Sequence, residues 1–196
     1  LVGSEMCIRD RVTFHGYKTD YSVAIILKKT LQQLYTMRIL VTGSEGFLGK
    51  VLCRQLRSDS HEVIGYDIAN GKDILDNVQL HEAMIDCDVC IHLAAIADLY
   101  IAEHQPELAR NLNINATKSL LEIAEQLEVR VLFASTVCAY GNNGVAVCVE
   151  ESPLAPTEVY AESKAEAERL FYDKLDKHAI LRLATFYGPN MRTSLA

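Results

Sequence analysis

Tyr160 and Lys164 stand four residues apart, a spacing that puts both on one face of a helix. A free phenol, with a pKa near 10, is a poor base at neutral pH. An ammonium beside it favours the phenolate and moves it toward the range of a general base for a hydroxyl proton. The same spacing fits an ordinary surface pair, so the two residues gain weight only from their surroundings. Gly43, Gly46 and Gly49 form a second group, in the run Thr42-Gly43-Ser44-Glu45-Gly46-Phe47-Leu48-Gly49. The first glycine permits a tight turn, the second lets backbone N–H groups approach a pyrophosphate, and the third lets helix and strand pack closely. Phe47 and Leu48 open that helix, where unsatisfied N–H groups and the positive dipole end favour an anion.

A third candidate is Asp67, at the end of the next apolar run. Its carboxylate can accept hydrogen bonds from the ribose hydroxyls of an adenosine. The same charge repels a 2′-phosphate and no arginine follows it, which favours NAD over NADP. The competing role for Asp67 is to open a turn before Asn70-Gly71. Cys87, Cys90 and His92 superficially have metal-ligand spacing. No second pair lies downstream to complete a tetrahedral set, and a buried strand there would point such residues to opposite faces. Buried thiols are the expectation, with no metal.

The elements that must position these groups follow from hydrophobic periodicity. Strands are expected at Arg38–Thr42, His61–Asp67, Asp88–Ala95, Arg130–Ser135 and His178–Ala184, with a very short strand or turn at Lys72–Leu75. Helices are expected at Phe47–Leu56, Asn77–Met84, Pro106–Leu127 and Thr157–Asp176. A loop containing Asn142, Asn143, Gly144, Pro153 and Pro156 precedes the last helix. Nearly continuous apolar strands alternating with helices indicate an α/β domain: a doubly wound parallel sheet covered on both faces.

With these motifs in place, the chain resembles the extended short-chain dehydrogenases/reductases, the NAD-dependent epimerase/dehydratase group typified by UDP-glucose 4-epimerase. The resemblance runs from Met37 to Asn190 and implies a Rossmann fold with NAD as cofactor. Asp73-Ile74 is similar to the family's adenine-contacting pair, and His92-Leu93-Ala94-Ala95 to its segment under the nicotinamide ribose. Asn113-Ile114-Asn115-Ala116-Thr117 resembles its N-V-x-G-T helix motif, with Ala116 in place of glycine. Ser135-Thr136-Val137-Cys138-Ala139-Tyr140-Gly141 leaves a strand at the family's distance upstream of Tyr160. The resemblance implies a catalytic triad of Thr136, Tyr160 and Lys164. Thr136 would hydrogen-bond the reacting oxygen, Tyr160 take a proton from a sugar hydroxyl, and Lys164 also hold the nicotinamide ribose.

The implied activity is that of a nucleotide-sugar epimerase acting at C4, through transient oxidation to a keto sugar. Hexose 4,6-dehydratases of the family carry Asp-Glu where Val137-Cys138 stands, and related decarboxylases carry Glu at Cys138, so a dehydratase is disfavoured. Some 3,5-epimerases place a catalytic cysteine in the slot of Cys138, but follow the tyrosine with proline where Gly141 stands. An inert packing thiol is the favoured reading. The alternatives are a reductase or dehydrogenase of the same family, turning over NAD(P)H stoichiometrically, and a non-catalytic NAD-binding sensor. The joint presence of Tyr160 and Lys164 counts against the sensor. Phe186-Tyr187-Gly188-Pro189 resembles the approach to the substrate region, with Thr185 where many sugar epimerases have asparagine.

Hydrophobic residues make up 49% and charged residues 23% of the chain, whose net charge is −7. No basic stripe offers a nucleic-acid backbone a footing, apolar runs such as Val23–Leu27 are too short to span a membrane, and no secretory signal is evident. The expected partner is a small-molecule nucleotide sugar, the expected compartment the cytoplasm, and a homodimer is compatible with the full-length form. Leu1–Arg11 resembles a translated sequencing adapter. Ala24, Leu27, Leu31 and Leu34 have helical spacing within the stretch that follows. Residues 1–36 are therefore expected to be an adapter-derived or non-native extension, with a real extension over residues 12–36 as the alternative. Residues 37–196 are expected to be the NAD-binding domain, incomplete at its C-terminus and without the substrate domain.

Overall fold

A computed structural model describes residues 36–142, 147–186 and 188. The expectations placed on residues 1–35, on Asn143 and Gly144, and on Tyr187 and Pro189 fall outside these. Five parallel strands run β1 (Arg38–Thr42), β2 (Glu62–Tyr66), β3 (Val89–His92), β4 (Arg130–Thr136) and β5 (Ala179–Leu183). Their order across the sheet is β2-β1-β3-β4-β5. β1 is paired on both edges, with Thr42 opposite Tyr66 on one side and His92 on the other, so its sequence is apolar without alternation.

Alternate residues of β1 feed two cores, because successive side chains point to opposite faces. Ile39 and Val41 pack with Cys53 of helix α1 (Phe47–Ser58). Leu40 packs with Leu80 and Met84 of α2 (Asn77–Met84) and with Leu120 and Ala124 of the long helix beyond β3. Helices thus cover both faces, as expected for a doubly wound sheet. The order reverses between β1 and β3, and ligands of such sheets sit in the crevice at that switch point, beyond the carboxyl ends of the strands.

Three expectations need correction, and a fourth is decided: Lys72–Leu75, read as a very short strand or a turn, is a turn, so the strand at Ala179–Leu183 is the fifth. Gly71 adopts a left-handed φ of 78°, and Asp73 Oδ1 accepts the Leu75 N–H at 2.9 Å, which closes the chain locally instead of offering it to the sheet. A further helix, α3 (Leu99–His104), precedes α4 (Pro106–Arg110); Asp98 caps it by accepting the Ile101 N–H. The expected helix Pro106–Leu127 is continuous, but residues Asn111–Asn115 form one wide turn between α4 and α5 (Ala116–Gln126). Finally α6 spans Val159–Arg169 and stops short of Asp176. Beyond it Phe171 turns fully into the core and stacks on Phe133, centroids 5.1 Å apart.

Cys87 and Cys90 are buried free thiols whose pKa values burial pushes up. Among the described residues no cluster of His, Cys, Asp or Glu could hold a metal ion, and no helix is long and apolar enough to cross a membrane.

Candidate active site

The loop after β1 turns at Gly43, whose φ is 71°. A Cβ there would lie 2.8 Å from the Ala94 backbone nitrogen, so only glycine lets this turn rest on the β3 loop. A Cβ on Gly49 would collide with the Gly43 carbonyl, which explains how closely α1 approaches the turn. Gly46 caps α1 without any side-chain hydrogen bond, leaving the helix's first N–H groups for another acceptor. These residues, with Phe47 and Leu48, line one side of a cavity of about 800 Å³.

Asp67 lines the same cavity and is tightly held. Its Oδ2 accepts the Glu45 N–H at 3.0 Å and its Oδ1 the Ala69 N–H at 2.9 Å. It therefore does cap the turn Ile68–Asn70, and it also ties that turn to the glycine loop. An ionised carboxylate has about four acceptor positions, so capacity remains. Asp73 and Ile74 follow along the wall. Tyr66, almost fully buried beneath them, donates to the Asp73 carbonyl at 2.7 Å, and burial pushes its pKa up to about 12.

Leu93, Ala94 and Ala95 form the floor at the switch point. The opposite wall carries Thr136, Cys138, Tyr160 and Lys164, from the end of β4, the short turn Val137–Tyr140 and helix α6. The candidate residues from all these motifs thus border one cavity. Sequence reasoning had not named Ile96, Leu99, Leu108 and Leu112, which add apolar lining from the segment after β3. Ser135 lines the cavity too, with a buried hydroxyl that finds no hydrogen-bond partner among the described residues.

Tyr160 differs from expectation in one respect. Its pKa is raised, because burial penalises the phenolate more than a hydrogen bond with Thr136 favours it; the nearby Cys138 also raises it. Lys164 is buried, with Nζ 4.0 Å above the Phe133 ring. Burial pulls its pKa down to about 7, against an upward pull from Glu168 one helical turn on. The phenol and ammonium are thus both pressed toward their neutral forms in the protein alone.

Two groups hold these residues in a role that sequence reasoning did not assign to either. Asn113, in the wide turn, is fully buried; its Oδ1 accepts the Ile96 N–H at 2.8 Å and its Nδ2 donates to Ser163 Oγ at 2.9 Å. Ser163 in turn donates to the Tyr160 carbonyl. Arg182 on β5 is the second: it grips Glu168, the Tyr140 hydroxyl at 2.8 Å and the Glu150 carbonyl at 2.9 Å. Asn113 opens a recognised motif and Glu168 follows Lys164 by four residues, so both had a local signal. Arg182 had none.

The NAD dependent epimerase/dehydratase family profile matches residues 39–195. The chain is 31% identical over 192 residues to a protein of Bacillus subtilis named uncharacterized UDP-glucose epimerase YtcB, covering 82% of this chain and 60% of that one. A dTDP-4-dehydrorhamnose reductase structure from Clostridium acetobutylicum superposes with a TM-score of 0.73 at 26% identity, over 81% of this chain and 56% of the other. The UDP-Glc/GlcNAc 4-epimerase from Campylobacter jejuni gives a TM-score of 0.67 at 26% identity, over 74% and 53%. The chain spans little more than half the length of these relatives. A matched profile over most of the chain makes it a member of the NAD-dependent epimerase/dehydratase family.

Proposed function

We propose that the chain is the cofactor-binding part of an NAD-dependent nucleotide-sugar epimerase that inverts C4. The observation that carries this reading is the convergence of Thr136, Tyr160 and Lys164 on the cavity that the glycine turn and Asp67 also line. The residues present fit a dinucleotide: the turn at Gly43 and Gly49 is a cradle that any Cβ would fill, and α1 begins without a side-chain cap. Gly46, Phe47 and Leu48 would hold the pyrophosphate, Asp67 the adenosine ribose, Asp73 and Ile74 the adenine, and Leu93 to Ala95 the nicotinamide ribose with Lys164. When bound, NAD supplies the redox chemistry, oxidising the sugar carbinol and later reducing the keto sugar.

The chain's own residues handle the proton. Tyr160 takes it from the C4 hydroxyl and later returns it, while Thr136 orients the same oxygen by a hydrogen bond. Burial alone keeps Tyr160 protonated. Its phenolate needs a neighbouring cation, and Lys164 on the same helix is the chain's own. Val137 and Cys138 place no carboxylate beside the sugar, so the acid and base for eliminating water are missing.

A reductase of the same family is the second reading, supported by the dTDP-4-dehydrorhamnose reductase likeness. The deciding experiment uses full-length protein, UDP-sugars and catalytic NAD. The epimerase interconverts C4 epimers without accumulating NADH, whereas a reductase consumes one NAD(P)H per product. Tyr160→Phe should lower turnover ~100- to 10,000-fold, and Thr136→Val should cost less because the base stays. Full turnover by Tyr160→Phe would sink the triad. Activity abolished by Cys138→Ala alone would move the chemistry to a carbon acid at C3 or C5.

A further inference from the structure

We infer that His92 is a positioning residue: a neutral imidazole, protonated on Nε2, that ties the glycine turn to the helix carrying Tyr160 and Lys164 through a one-way chain of hydrogen bonds. The inference rests on the reading of the cavity as the NAD site. Its direction follows from donors and acceptors alone. Thr117 Oγ1 lies 2.7 Å from the Asn113 carbonyl, which can only accept, so the Thr117 hydroxyl proton is committed there. The contact of 2.9 Å between the same oxygen and His92 Nε2 must then have the ring as donor. A neutral ring with its proton on Nε2 leaves Nδ1 bare, and Nδ1 accepts the Thr42 hydroxyl at 2.7 Å. Thr42 Oγ1 in turn accepts the Ala94 N–H at 3.3 Å. Every donor in the chain is used once.

The two ends of the chain matter for function. Thr42 immediately precedes Gly43, and Ala94 is the residue on which that turn rests. At the other end the Asn113 side chain holds both Ile96 and Ser163, and Ser163 donates to the Tyr160 carbonyl at 2.7 Å. A dinucleotide must meet the glycine turn with its pyrophosphate and Lys164 with its far ribose, so the separation of these two walls sets the fit. His92 has no exposed surface and sits 5.6 Å from the Phe133 ring that Lys164 overlies. Burial and the Lys164 charge keep the imidazole neutral, with a pKa of about 3.

The experiment is ¹⁵N NMR of the histidine-labelled 196-residue chain, with the His92 signals assigned by their loss in His92→Gln, alongside NAD titration. We expect one protonated Nε2 and one bare Nδ1 in the wild type. Thr117→Val keeps the shape but removes the acceptor, and should shift the tautomer and weaken NAD binding about tenfold. Thr117→Ser keeps the hydroxyl and should restore both to within about twofold. An Nδ1–H or doubly protonated ring in the wild type overturns the inference. So does Thr117→Val with NAD affinity and tautomer unchanged. If Thr117→Val does not fold, the wild-type spectrum and Thr117→Ser decide. Wild-type protein with the stated tautomer that fails to bind NAD places the failure in the cofactor reading instead. No sugar substrate is needed, so the outcome is independent of epimerase or reductase chemistry.

Discussion

Glu168 and Arg182 form an ion pair in which the carboxylate has no exposed surface and accepts Nε of the guanidinium at 3.1 Å and one terminal nitrogen at 2.8 Å. Arg182 also stacks over the Tyr140 ring, 4.7 Å from its centroid, while donating to the Tyr140 hydroxyl. One guanidinium thus joins helix α6, strand β5 and the turn that carries Cys138. Glu168 holds the Arg182 pKa above its ordinary value, so the cation persists at any working pH.

The pair should therefore be costly to break from one side. Arg182→Met strands a buried carboxylate, and stability should fall by about 3 kcal/mol. Adding Glu168→Gln to Arg182→Met should recover part of that loss, because the buried charge goes too. Urea unfolding of the single and double variants checks this. Additive losses would mean that the two residues do not act as a pair.

Lys164 gives a pH dependence with a definite sign. Its folded pKa of about 7 lies below the ordinary lysine value. Above about pH 7 the unfolded chain holds a proton that the folded chain has lost, so stability should rise with pH toward about 10. Below about pH 7 both states are charged and the penalty is fully present. The slope is at most about 1.4 kcal/mol per pH unit. Urea midpoints of cofactor-free protein at about pH 7 and about pH 8.5 should therefore diverge, and Lys164→Met should flatten this difference. Equal slopes for wild type and variant would show that Lys164 does not titrate there.

Asp67 should set cofactor choice. Its carboxylate is fixed by the Glu45 and Ala69 N–H groups, so it cannot swing away from a 2′-phosphate. NAD should bind at least about tenfold more tightly than NADP, about 1.4 kcal/mol. Asp67→Asn keeps one acceptor and removes the charge, and should narrow that ratio. Calorimetric titration with both dinucleotides reads it directly; equal affinities in the wild type would remove Asp67 from the ribose.

Local patterns carried most of the fold. The strand at Arg38–Thr42 and the helix at Asn77–Met84 have the boundaries their residues predict, since both depend on neighbours in sequence: an apolar run, and Asp76 as a helix cap. Leu99–His104 escaped although Asp98 offers the same kind of cap. One helical turn and a half is too short for periodicity to register. The early end of α6 depends on where Phe171 finds Phe133, a partner 38 positions earlier in the chain, and no local pattern reports that.

The sequence alone determined the kinds of group available: the glycines that a tight turn requires, a carboxylate after the second strand, and a tyrosine with a lysine one helical turn away. These depend on covalent structure and on spacing along one element. Tertiary structure decided that the groups share a single cavity, since the strand order bringing β1 beside β3, and β3 beside β4, is a matter of long-range pairing. It also decided their electrostatics. Burial raises the Tyr160 pKa and lowers that of Lys164, because the cost of a charge depends on how much water and which partners surround it. Spacing gives no measure of either.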